Sequence, residues 1–153
     1  MKDFKDIKLM SIDGEKSISD YKGKNLVLYA YPKDNTKGCT IEAIEFNNLL
    51  DEFKKLDTVV VGISKDPMKS HEKFKDKNDL KFNLLSDEDK VLLEDLDVMK
   101  LKKMFGNEYM GVVRSTFIFD KEGNLVKEFR NVKSTGHAQK VLDYILDYIK
   151  ENL

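Results

Sequence analysis

Cys39 is the single cysteine of the chain, and it closes the stretch Pro32-Lys33-Asp34-Asn35-Thr36-Lys37-Gly38-Cys39. The apolar run Leu26-Val27-Leu28-Tyr29-Ala30-Tyr31 precedes it, and a helical pattern begins just after it. A thiol in the first turn of a helix faces unpaired backbone N–H groups and the positive end of the helix dipole, and both favour an anion. Such placement lowers a cysteine pKa and makes thiolate available near neutral pH. Taken alone, a lone cysteine is more often a small buried apolar residue; its neighbours reverse that reading.

If the substrate is a peroxide, a thiolate attacks one oxygen while the other leaves as an alkoxide or hydroxide. Negative charge then moves from sulfur onto the oxygens, so fixed donors must surround both ends of the breaking bond. Thr36 places a hydroxyl where it can donate to the sulfur or to a bound oxygen. Backbone N–H groups around Gly38 and Cys39 point the same way at the helix start. Gly38 allows close approach to the backbone, and Pro32 stiffens the loop and shields the thiol. Arg114 is the candidate ion-pair partner for the thiolate and the group that orients the departing oxygen. Of the 27 basic residues only Arg114 and Arg130 are arginine, so each is worth asking what lysine's point charge would not supply. Glu42, in the first helical turn, reads most simply as a carboxylate that complements the dipole. Each of these residues alone has an ordinary use as turn, cap, punctuation or surface charge. Their combination is what points to chemistry.

Positioning them requires a particular order of elements. Residues 7–18 alternate around Asp13-Gly14 and predict a small N-terminal β-hairpin. Residues 25–31 and 58–64 are nearly continuous apolar runs, the pattern of strands buried on both faces. Between them, Ala43, Phe46, Leu50 and Phe53 recur at helical spacing and predict one helix over residues 40–56. Pro67 opens a second helix, running to about residue 77. A short strand over 82–85 and a short helix over 87–96 follow, then an irregular segment, 100–110, containing Gly106. Residues 115–120 and 125–130 form a hairpin, and the last helix spans 137–151. This order implies an α/β protein: a central mixed sheet flanked by helices, with Cys39 at the C-terminal end of a buried strand, where open α/β sheets place their active sites.

The totals exclude several classes. A chain of 153 residues is expected to form one domain, 1–153, with a core that needs neither metal nor disulfide. A net charge of −1 gives no global field toward nucleic acid or an anionic membrane. One cysteine makes no internal disulfide, the N-terminus lacks the apolar core of a signal peptide, and no run approaches transmembrane length. Cytoplasm is the expected compartment. His71 lies in a strongly charged helix and His137 near the start of the last one. Both read as exposed or capping, without the base–orienter signal of a cysteine hydrolase. One cysteine and two scattered histidines are poor material for zinc. Threonine at position 36 removes the Cys-x-x-Cys of a disulfide oxidoreductase, and there is no Gly-rich phosphate loop.

Pro-x-x-x-Thr-x-x-Cys, filled by Pro32, Thr36 and Cys39, resembles the peroxidatic motif of the peroxiredoxins. The fuller string from Tyr31 to Ala43 is similar to the bacterioferritin-comigratory, or Q-type, branch. The likeness continues through Val61-Gly62-Ile63-Ser64, Ser70-His71-Glu72-Lys73-Phe74, Leu84-Leu85-Ser86-Asp87 and Arg114-Ser115-Thr116-Phe117 to Gly136-His137-Ala138. The resemblance implies a thioredoxin-like fold and peroxide reduction by Cys39, with Pro32, Thr36 and Arg114 as the activating set and Gly38 and Glu42 in support. It implies no metal, haem or flavin. Many Q-type members carry a resolving cysteine where this chain has Ile44. A one-cysteine cycle is therefore expected: peroxide oxidises Cys39 to the sulfenic acid, an external thiol forms a mixed disulfide, and a second thiol releases the enzyme. The donor is expected to be thioredoxin, a glutaredoxin or a small thiol, and the chain a monomer or weak homodimer. The rival reading is a redox-sensing thiol switch, in which Cys39 oxidation changes a binding surface without multiple turnover.

Overall fold

β2 (Asn25–Ala30) is buried along its whole length, and its alternation divides the interior in two. In the computed structural model, which describes residues 4–152, Val27 and Tyr29 join one apolar cluster, while Leu26, Leu28 and Ala30 join another on the opposite face of the sheet. The first cluster is closed by Phe46, Phe53, Phe74, Val141 and Ile145, and the second by Leu92, Leu93 and Val98. The sheet order is β1-β4-β3-β2-β7-β8. β3 (Thr58–Ser64) runs parallel to β2, and β4 (Asn83–Ser86) parallel to β3. β1 (Met10–Ser11), β7 (Ser115–Phe119) and β8 (Leu125–Phe129) run antiparallel to their neighbours. This is a mixed sheet with the crossover helices between its parallel strands.

α1 (Lys37–Asn48) and α2 (Leu50–Lys55) replace the single helix expected over 40–56. The break follows Asn47-Asn48, poor helix formers. Asn47 turns its side chain outward: its amide donates to the Asp79 carbonyl and its oxygen accepts from Lys81 N–H, at 3.0 and 2.8 Å. α3 (Met68–Asn78) starts after Pro67, and α5 (His137–Glu151) lies where the apolar stripe placed it. α4 (Val91–Asp95) is shorter than expected. Asp87, assigned to that helix from sequence, instead accepts from the N–H groups of Val91 and Leu93. The N-terminal hairpin contracts to a bridge between Leu9 and Lys16 around the turn at Gly14, and one arm becomes the edge strand β1.

The segment expected to be irregular, 100–110, is ordered. β5 (Met99–Met104) and β6 (Asn107–Val112) pair antiparallel as a separate two-stranded sheet. Phe105 and Gly106, with φ of 52° and 80°, form its tight turn. Phe-Gly is not the usual dipeptide for such a turn, and lysines interrupt the apolar alternation, so neither signal was available from the sequence.

Candidate active site

Cys39 lies in the first turn of α1, only 1% exposed, on the stripe Cys39-Glu42-Ala43-Phe46 that the helix turns inward. Arg114 reaches it from the neighbouring strand. The β2–β7 register pairs Ala30 with Ser115, so the residue just before β7 stands at the end of β2 where the catalytic-type loop begins. From there Arg114 Nη2 donates to Cys39 Sγ at 3.3 Å, and Nη1 donates to Glu42 Oε1 at 2.6 Å. The two groups expected to meet, a thiol and a guanidinium, are therefore in contact.

Glu42 departs from its expected role. It is not a solvated carboxylate complementing the dipole but a fully buried side chain paired with Arg114. Burial raises its pKa from 4.5 to about 7, against the pull of the guanidinium. Its second oxygen, Oε2, and the nearby Tyr29 hydroxyl have no hydrogen-bond partner among the described residues. For Arg114, burial disfavours the charge, but Glu42 and Cys39 outweigh it and hold the pKa above the ordinary arginine value.

Gly38 serves Arg114 directly. A Cβ at this position would lie 3.1 Å from Arg114 Nη2 and 3.5 Å from Ser134 Oγ, so the missing side chain leaves the space the guanidinium occupies. Thr36 is the N-cap residue of α1 and is exposed. Its hydroxyl donates to the Lys33 carbonyl at 2.8 Å rather than to the sulfur. With that proton committed, Oγ1 has only lone pairs left to offer, and the expected donation to sulfur or a bound oxygen is not made. Its carbonyl accepts from the Thr40 N–H and hydroxyl, closing the first helical turn. Pro32 opens the loop and is partly buried.

Both histidines are buried, contrary to the reading that made them exposed or capping. His137 sits edge-on to Phe46 and Phe129, with Nε2 2.7 Å from Thr116 Oγ1. Burial, then Lys140 and Arg114, lowers its pKa to about 4 and keeps it neutral. His71 pairs with Asp34, in the loop before Cys39, at 2.7 Å. Neither ring is bonded to the sulfur, so the geometry is not that of a cysteine–histidine hydrolase. Asp34, Asp66 and His71 bring potential metal-ligating atoms within 4.8 Å of one another. Those atoms already have protein partners. Asp34 Oδ2 accepts from Ser70 and meets His71 Nδ1, and Asp66 Oδ2 accepts from Ser64 and the Asp34 N–H. The cluster is a satisfied hydrogen-bond network, which the sequence reading missed.

The AhpC/TSA family model matches residues 1–128. The chain belongs to that family. It is 50% identical over 143 residues to the peroxiredoxin Bcp of Bacillus subtilis, covering 93% of this chain and 91% of that protein. A Helicobacter pylori protein named as a putative peroxiredoxin is 48% identical over 139 residues, covering 90% and 91%. Among solved structures, the Xanthomonas campestris bacterioferritin comigratory protein, described for its alkyl peroxide reduction activity, superposes with a TM-score of 0.90 at 40% identity, covering 95% of this chain and 93% of that one. The fold is thus thioredoxin-like, and the chain is a thiol-dependent peroxidase of the peroxiredoxin class. No helix among the described residues is long and apolar enough to cross a membrane.

Proposed function

We propose that Cys39 is the peroxidatic nucleophile for hydrogen peroxide and organic hydroperoxides, with Arg114, Thr36 and Pro32 completing the catalytic set and Gly38 and Glu42 supporting it. The observation that carries this reading is the 3.3 Å contact between Arg114 Nη2 and Sγ. The thiolate attacks the proximal peroxide oxygen, an S–O bond forms, the O–O bond breaks, and the distal oxygen leaves with the bonding pair and takes up a proton as water or alcohol. The guanidinium stands beside the sulfur where charge begins, close to where it moves. Thr36 Oγ1, its own proton held by Lys33, accepts from the peroxide O–H and orients it.

Recovery follows from the single cysteine. One external thiol displaces water from the sulfenic acid and forms a mixed disulfide. A second thiol attacks that disulfide and frees Cys39. Ile44, at the position where Q-type relatives often resolve, is 39% exposed and takes no part. Thioredoxin, a glutaredoxin or a small thiol is the proposed donor. The proposed acting unit is the whole chain as one domain, a monomer or weak homodimer in the cytoplasm.

Intact mass spectrometry tests the first half-reaction. Reduced protein given one equivalent of hydrogen peroxide gains one oxygen within seconds, Cys39→Ser gains none, and added thiol reverses the change. A reduced protein that stays unmodified for minutes refutes the reading. Continued turnover with thiol present separates the enzyme from the sensor, which oxidises once and stops.

A further inference from the structure

We infer that His71 is a positioning residue for the peroxidatic loop, acting through Asp34; this rests on the assignment of Cys39 as nucleophile. Within the loop between β2 and α1, Lys33, Asn35 and Thr36 are exposed, yet Asp34 is 4% exposed. Both carboxylate oxygens and the backbone N–H of Asp34 are held. Its Oδ1 accepts from the Tyr31 hydroxyl at 2.6 Å, and its Oδ2 accepts from Ser70 Oγ at 2.8 Å and meets His71 Nδ1 at 2.7 Å. Its backbone N–H donates to Asp66 Oδ2 at 2.8 Å.

The far side of the imidazole completes the connection. His71 Nε2 lies 2.9 Å from the Leu85 carbonyl, a group that only accepts, so this nitrogen carries a proton. Nδ1 meets Asp34 Oδ2 at 2.7 Å, beside the two hydroxyl donors that the carboxylate already accepts. The ring thus bridges Asp34 and Leu85 in the interior, the His71 and Asp34 side chains being 0% and 1% exposed. The Nε2 bond orients the ring against β4, a strand inside the main sheet, and leaves Nδ1 facing the loop at Asp34. Cys39 is thus held from two directions: the loop by Ser70 and His71 of α3 through Asp34, and Arg114 from its place just before β7.

Stability alone does not account for such a pair. Desolvating buried polar groups offsets much of what their hydrogen bonds supply, and replacing both partners by apolar groups of similar shape can be nearly neutral. What a fully satisfied buried network supplies is one defined arrangement. Here that arrangement fixes the main chain leading to Thr36, Lys37 and Gly38, and hence the first turn of α1 against the guanidinium.

Two amides divide the ring's bonds. The Asn amide nitrogen in His71→Asn takes the place of Nδ1, keeping the Asp34 contact and losing Leu85. The longer side chain of His71→Gln takes the place of Nε2, keeping Leu85 and losing Asp34. The measurement is the second-order rate of Cys39 oxidation by hydrogen peroxide in a single turnover, with urea unfolding of each variant and the rate at which dithiothreitol reduces the oxidised protein. Expected is oxidation within about 3-fold of wild type for the Asn variant and about 10- to 100-fold slower for the Gln variant, the scale of a small misplacement at a reacting centre. Both variants lose stability, and reduction by dithiothreitol changes little in either. Should His71→Gln not fold, Ser70→Ala removes another donor to Asp34 at a half-buried position, with oxidation slowed about 3- to 10-fold. Wild-type oxidation rates in the Gln and Ala variants overturn the inference, as do rates in both His71 variants that fall only in step with stability. A wild-type protein that does not react at all overturns instead the assignment of Cys39.

Discussion

The buried Glu42 pairs with the partly buried Arg114, Nη1 to Oε1 at 2.6 Å, and the same guanidinium spends its other terminal nitrogen on Cys39 Sγ. The carboxylate fixes one edge of a planar fork so that the other edge faces the sulfur. A lysine would carry the charge but offers no second fixed donor.

Arg114→Lys is therefore expected to slow Cys39 oxidation by about 100-fold, the scale of removing one placed donor from a reacting oxygen or sulfur. Stopped-flow measurement of oxidation against peroxide concentration reads this directly. A lysine variant reacting at the wild-type rate would show that charge alone is sufficient.

Glu42 makes stability depend on pH with a definite sign. Its pKa rises on folding from 4.5 to about 7, so the fold prefers the protonated form. Its contribution is complete below pH 4.5 and is lost as pH rises through about 7. The change amounts to about 3 kcal/mol. Glu42→Gln cannot ionise, so urea unfolding at pH 5 and pH 8 should show a flatter profile for the variant than for wild type. Parallel profiles would mean that Glu42 stays ionised throughout.

Gly38→Ala puts a methyl group 3.1 Å from Arg114 Nη2 in a helix where alanine is otherwise the better residue. The fold is expected to tolerate it, while the guanidinium shifts by a few tenths of an ångström and Cys39 oxidation slows about 10-fold. Thermal unfolding and oxidation rate, measured on the same sample, check this. A loss of stability without a loss of rate would place the contact in packing only.

Much of this site was legible because its determinants are local. The apolar run before Cys39, the Pro, Thr and Gly of the loop, and the helical stripe after it fixed strand, turn and helix start within one stretch of chain. What was missed depends on which face a polar residue takes. Glu42 stands on the stripe with Cys39, Ala43 and Phe46, and His71 lies one turn before the buried Phe74. Helical spacing thus placed both on inward faces. Composition argued the other way, since a carboxylate in a first turn and a histidine among lysines usually face water. Their partners, Arg114 and Asp34, are distant in sequence, and pairing of that kind is set by sheet register rather than by neighbours. The Met99–Val112 hairpin escaped notice for a different reason: its turn holds Phe105 in a left-handed conformation that propensity does not suggest.

With one cysteine, the fate of the oxidised protein depends on competition between a second peroxide and an external thiol. No intramolecular disulfide can remove the sulfenic acid, so its lifetime without donor is set by peroxide alone. In excess peroxide and no thiol, intact mass is expected to advance from one added oxygen to two at a rate proportional to peroxide concentration. Thiol added before the second step restores the reduced mass, and thiol added after it does not. Raising donor concentration at fixed peroxide should suppress the two-oxygen species in proportion, because both reactions draw on the same sulfenic acid. If the one-oxygen form instead persists in excess peroxide, the buried sulfur is protected once oxidised. Over-oxidation would then be controlled by access to Cys39, which is 1% exposed, and not by donor supply.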